Sequence, residues 1–132
     1  MKKCTREWIE KAEKNLAVAL SESKQRERAN DVICFLCQHT VEFYLKALLQ
    51  EWAIPPPRTH DLDELHVLML PIFTKLKPVR RQIKHMTIYA VRYRYPGAKS
   101  TRRQATAAVQ LARNVRSIIR RTLGLPAALP RR

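Results

Sequence analysis

Three groups of residues in this chain have the types and spacing to do chemistry. Cys34 and Cys37 form a C-x-x-C pair with His39 just beyond, the pattern of a redox dithiol or of part of a metal site. Arg58, His60 and Asp61 on one stretch, with Arg94, Tyr95 and Lys99 on another, carry the parts of a phosphate site. Guanidinium groups fork onto phosphate oxygens, an imidazole donates a hydrogen bond, and a phenol ring offers a face on which a base can stack. Arg80 and His85, with four residues between them, could hold a scissile phosphate and move the proton of an attacking 2′-hydroxyl.

Which of these groups can act depends on the elements that carry them. The chain has only two glycines and no stretch that alternates with period two, so it reads as all-α. A first helix is expected from Thr5, its N-cap, to about Arg28, with Trp8, Ala12, Leu16 and Ala19 on one face. Asn30 or Asp31 caps a second helix, apolar on two sides, that continues to about Trp52. Pro55, Pro56 and Pro57 stop it and stiffen an extended link. Asp61 opens a third helix with Glu64 in a capping-box pattern, and Pro71 kinks or ends it. Pro78 suits the first turn of a fourth helix that ends near Tyr93. Thr101 and Gln104 form a second capping box for a fifth helix, whose stop is Gly124 followed by Pro126. The expected architecture is an antiparallel up-down bundle of four to five helices in one domain, residues 1–124, followed by a basic tail, residues 125–132. Alternating helix directions would bring the 53–60 and 94–100 links together at one end, with Arg92 and Lys46 close below.

On this frame the three groups weigh differently. Cys34 falls about one turn inside the second helix on a face shared with Val41 and Leu48, so both thiols point into packing, and His39 points away from them. Buried structural cysteines are the expectation, and no metal site or cofactor is. At the two-link end, the free N–H groups of the third and fifth helices favour an anion before side chains are counted. There Arg58, His60, Arg94, Tyr95, Lys46 and Lys99 are the candidate nucleotide or phosphate ligands. The alternative is structural: Asp61 caps its helix while Arg94 pairs with Asp61 or Glu64. Arg80 and His85 lie about 140° apart around a helix, so a single chain cannot aim both at one phosphate unless the helix is distorted or a dimer mate contributes. Arg102, Arg113, Arg116 and Arg120 flank the core stripe of the last helix as a basic seam that could track a phosphate backbone or receive an acidic protein. His66 fits the edge of the core.

Charge sharpens the choice of partner. All eleven acids lie at or before Glu64, whereas residues 65–132 hold sixteen Lys and Arg and no acid, so the net charge of +15 belongs to the second half. A one-signed field of this size attracts polyanions or an acidic protein. Three cysteines make no disulfide framework and fit a reducing compartment. The charged stretch through Lys14 breaks any signal-peptide pattern, and the apolar runs are short for a bilayer, so a cytoplasmic protein with no membrane partner is expected.

The stretch C-F-x-x-Q followed by V-E-x-Y-L-K-A-L-L, from Cys34 to Leu49, resembles the second helix of prokaryotic HEPN-domain proteins. R-T-H-D-L at Arg58 to Leu62 and Y-A-V-R-Y-R-Y-P-G at Tyr89 to Gly97 fit in the same order, and the similarity runs from Trp8 to about Ile119. His39 departs from the pattern, standing where the family often has a second glutamine. The resemblance implies a bundle of the HEPN type, commonly a homodimer, that binds a nucleotide or RNA. It also implies partnership with a small nucleotidyltransferase in a two-component, toxin–antitoxin-like system. The alternative it carries is a metal-independent ribonuclease toxin using Arg80 and His85 as an R-x4-H site across a dimer interface. In such toxins a tyrosine modified by the transferase stands two residues after the histidine; here that position is Thr87.

Overall fold

The apolar periodicity folds into six helical segments in a computed structural model that describes residues 1–129: α1 Lys3–Ser23, α2 Asn30–Glu51, α3 Leu62–Met69, α4 Arg80–Met86, α5 Ile88–Arg92 and α6 Arg102–Thr122. A 3-10 turn, Lys77–Val79, leads into α4 with Pro78 in its first turn. Thr87 keeps helical dihedrals (φ −53°, ψ −31°), so α4 and α5 form one interrupted rod and the bundle has five rods. The expected all-α bundle is therefore what forms. Two ends of α1 differ from expectation. Thr5 is not the cap: it sits buried inside the helix and donates its hydroxyl to Glu51 at 2.9 Å, and the helix stops at Ser23. Neither Asn30 nor Asp31 caps α2: both lie inside the helix, its N-cap is Ala29 with no side-chain cap, and the Asp31 carboxylate is spent on the Ser100 N–H instead. Asp61 caps α3 through the N–H groups of Asp63 and Glu64, and Thr101 with Gln104 closes the complete capping box of α6.

The core is organised around α2, in which Cys34, Cys37, Val41, Tyr44, Leu45, Leu48 and Leu49 are all buried. By length and composition this helix is apolar enough to cross a membrane, against the sequence expectation, but 72% of its candidate span lies inside the bundle. α1 covers it antiparallel, as the pairs Thr5–Glu51 and Glu13–Tyr44 show.

The helix directions differ from simple alternation at one junction. Ala53, at φ +58°, reverses the chain just after α2, and the proline-rich link then runs back beside the same helix. His60 arrives level with Gln38 and Glu42, about three helical turns below the end of α2. α3 therefore runs in the same direction as α2, and Phe73 beyond its end packs on Trp52 (ring centroids 5.4 Å apart). The α4–α5 rod descends, and the next link is tied to the start of α2 by the bond from Ser100 N–H to Asp31. The expected meeting of the 53–60 and 94–100 links at one end is thus corrected. The 94–101 link lies at the α2 N-terminus, and only the tail of the first link approaches it. Prolines stop a helix but do not dictate which way the chain leaves, and that direction was set by what α2 needed to have covered.

The C-terminal segment also differs. Leu125 and Leu129 pack on the core, and Arg116 and Arg120 bond the carbonyls of Ala127 and Pro126, so residues 125–129 fold back rather than fray. Arg131 and Arg132 of the expected basic tail lie outside the described residues. The anchor is a polar cluster: Arg116 forks onto Glu13 (2.9 and 2.8 Å), which also accepts from Tyr44 at 2.7 Å, while Arg120 lies 3.6 Å from Glu13. Burial pushes the Glu13 carboxyl up, but the bonds from Arg116 and Tyr44 and the two positive charges outweigh it and hold it below its usual range. Replacing Arg116 by Ala takes the forked guanidinium from that carboxylate, leaving it Tyr44 and the longer contact to Arg120, and releases the carbonyls of Ala127 and Ala128. The expected cost is about 3 kcal/mol, at the lower end for a buried pair because Glu13 is partly exposed, read as a lower urea midpoint.

His66 is fully buried, and neither ring nitrogen has a hydrogen-bond partner. Burial, with a smaller push from Arg80, holds its pKa below the ordinary 6.5, partly opposed by Asp63. The unfolded chain therefore takes up this proton first as pH falls. The resulting stability is complete above pH 6.5 and drains away as pH drops from 6.5 toward the folded value. Thermal melting at a series of pH values should show that loss in the parent and a flatter profile in His66→Leu.

Candidate functional site

The cysteine pair is resolved by position. Cys34 and Cys37 are buried free thiols, as expected, and Cys4 is exposed. Burial pushes Cys37 up to about 12, and burial also raises Cys34 against a bond from Ser100. Thiolate chemistry needs the opposite shift. Among the described residues no group of three or more His, Cys, Asp or Glu could hold a metal ion.

The second group is partly assembled, although not by the expected route. His60 Nδ1 lies 2.9 Å from Glu42 Oε1, and Gln38 Nε2 donates to the His60 carbonyl at 3.2 Å. These bonds hold the end of the proline-rich link against the middle of α2. From the other side, α5 and the residues after it bring Arg94 and Tyr95 over Phe35 and His39. The result is a cleft of about 280 Å³ lined by Phe35, His39, His60, Ala90, Val91, Arg94 and Tyr95. Tyr93 stacks on Phe35 beside it (centroids 4.4 Å apart, planes 15° apart), which fixes the platform ring.

Of the six candidate ligands, His60, Arg94 and Tyr95 line this cleft. Arg94 forms no ion pair or hydrogen bond with another described side chain, so the pairing with Asp61 or Glu64 is absent, while Asp61 does cap α3. Arg58 and Lys99 are exposed but are not among the lining residues. Lys46 is corrected outright. It is buried, 3.0 Å from Glu42 and 5.3 Å over the ring of Trp8. Breaking a buried ion pair costs about 3–5 kcal/mol, more than the roughly 1.5–3 kcal/mol one charged hydrogen bond to phosphate returns. Lys46 therefore stays with Glu42. The expected free N–H groups of α3 are taken, since Leu62, Asp63 and Glu64 donate to Thr87 and Asp61; at α6 the Gln104 N–H is spent on the Thr101 cap, while those of Arg102 and Arg103 have no bond among the described residues.

His39 is the residue that sequence reasoning missed. Its signal was present as the stripe Phe35, His39, Phe43 at i, i+4 and i+8, which the structure joins edge to face (His39 centroids 4.2 and 5.6 Å from the two rings). That stripe reads equally as core packing until His60 is placed opposite it.

Arg80 and His85 do not come together within the chain. Arg80 turns toward α3 and forks onto Asp63 at 3.0 and 3.3 Å, which holds that carboxyl below its usual range. His85 lines a different groove with Arg81, Met86 and Leu111, between the α4–α5 rod and α6. The basic seam is likewise broken up. Arg102 and Arg113 are exposed, but Arg116 and Arg120 turn inward to Glu13, the carboxylate that α1 places within their reach.

A five-rod all-α bundle built on a buried second helix, with one polar cleft against that helix, defines the class of this protein. Residues 5–122 match the family model of the HEPN domain, nearly the whole chain, and the protein belongs to that family. No curated protein and no solved structure matches the chain. Membership supports a nucleotide- or RNA-related function in general, in a family of domains that commonly dimerise.

With both C-x-x-C thiols packed, a disulfide reagent should titrate one cysteine, Cys4, quickly in the native protein, and all three only in denaturant. Rapid modification of three thiols under native conditions would contradict the packing.

Proposed function

We propose that this protein is a nucleotide- or RNA-binding module, working as a homodimer with a small nucleotidyltransferase in a two-component, toxin–antitoxin-like system. The cleft formed by Phe35, His39, His60, Arg94 and Tyr95 is its ligand site. Arg94 takes the phosphate, and Tyr95 or Phe35 takes the face of the base.

The observation that carries this reading is the unpaired Arg94 guanidinium at the mouth of an aromatic-lined cleft. Most basic side chains near an acid in this molecule are spent on it, as Arg80, Arg116 and Lys46 are. An arginine with both its fork and a stacking ring free is a phosphate-ready group. The unneutralised charge of residues 65–132 raises local anion concentration and offers an acidic nucleotidyltransferase a docking field. The ribonuclease alternative has less behind it, since Arg80 is committed to Asp63 and His85 faces another groove.

Arg94→Ala is the direct test. Isothermal titration with ATP and with a short single-stranded RNA should show affinity falling about tenfold or more, as for loss of a charged hydrogen bond, with circular dichroism unchanged. Equal affinity of variant and parent for both ligands rules this cleft out.

A further inference from the structure

The two cleft histidines are held in the same tautomer by groups that can only accept. His39 Nδ1 lies 3.0 Å from the Phe35 carbonyl oxygen, and His60 Nδ1 lies 2.9 Å from Glu42 Oε1, a carboxylate ion-paired to Lys46. Each Nδ1 must therefore carry the proton, and in the neutral ring each Nε2 bears a lone pair. Neither Nε2 has a partner among the described residues. The cleft is thus lined by two imidazoles with acceptor nitrogens, one guanidinium, and stacking faces.

Ring spacing decides what such a pair can share. The His39 and His60 centroids are 6.2 Å apart. A metal ion about 2.1 Å from each Nε2 stands about 3.2 Å from each centroid, so rings 6.2 Å apart would open its N–metal–N angle to about 150°, far from the tetrahedral angle of zinc. An amine nitrogen about 2.9 Å from each Nε2 stands about 4 Å from each centroid, and its two N–H directions, about 120° apart, then place the rings about 7 Å apart. The observed 6.2 Å closes that angle to about 100°, a smaller departure than the metal requires. We infer that the cleft selects nucleotides whose base carries an exocyclic amine, adenine foremost, by sharing the amine between His39 and His60 while Arg94 holds the phosphate. This rests on the cleft being the nucleotide site. A base with a carbonyl at the same position, as in hypoxanthine, sets an oxygen lone pair against two nitrogen lone pairs and loses both bonds.

AMP and inosine monophosphate isolate the effect, because they differ only in that amine and the adjoining ring proton. The parent should bind AMP about tenfold or more tightly than inosine monophosphate, from two hydrogen bonds lost and a repulsion gained. His39→Phe, which extends the aromatic stripe and is checked for an unchanged melting temperature, should keep only the part of that preference owed to His60 and discriminate several-fold less than the parent. Arg94→Ala should weaken both by the same factor and keep their ratio. Equal binding of the two nucleotides by the parent, both weakened by Arg94→Ala, overturns amine selection and leaves the cleft as the site. Failure of both to bind removes the cleft reading itself. Stoichiometric uptake of Zn²⁺ by the parent, lost in His39→Phe, would make the pair a metal site instead and overturn the inference.

Discussion

The carboxylate of Glu42 is the constraint on which the site depends. It stands in the middle of the most buried helix, 1% exposed, where an ionised group is tolerated only with partners on its oxygens. Three side chains supply them: Lys46 on one oxygen, Gln38 and His60 on the other. Lys46 and Gln38 come from the same helix, one turn to either side, and cost little to arrange. His60 comes from a link eighteen residues on, and to deliver it the proline-rich segment must run back along α2. A requirement of burial thus fixes both the path of a loop and the orientation of an imidazole that faces the cleft.

The same logic recurs at the other polar sites of the bundle. Glu13 draws Arg116, Arg120 and Tyr44 together and, through the carbonyls of residues 126–128, pins the C-terminal segment. Asp31 holds the 94–101 link by the Ser100 N–H, and Asp63 holds Arg80. Four acids of the first half each fasten something of the second half or the crossing link. The asymmetry of charge along the sequence is therefore partly a fastening scheme, and only the bases left over form an external field.

Function in this molecule is then a matter of what the fastening leaves free. Arginines reached by an acid are structural. Arg94 escapes because the chain around it leaves helical order after Arg92, beyond the reach of any acid, with an aromatic platform beside it. His39 and His60 differ from the unsatisfied His66, which packing has closed off entirely, in keeping one nitrogen tied and the other open.

The sequence by itself determined the helices, the Asp61 and Thr101 caps, the buried C-x-x-C pair and the family. These are local or periodic properties: glycine scarcity, proline punctuation, a hydroxyl three residues before an amide, and apolar spacing act within a turn or two of chain. The sequence also marked His60, Arg94 and Tyr95 as chemically interesting by type. Only the tertiary structure decided which of the basic residues remain available. That depends on which acid lies across a helix–helix contact, such as Glu13 beside Arg116, or one turn away inside a core, such as Glu42 beside Lys46. It also depended on the direction the chain takes after Ala53, where a single left-handed residue turns the link back and sets His60 opposite His39. Pairings between residues tens of positions apart leave no periodic trace in one sequence, because their energy comes from burial that exists only once the chain has closed on itself.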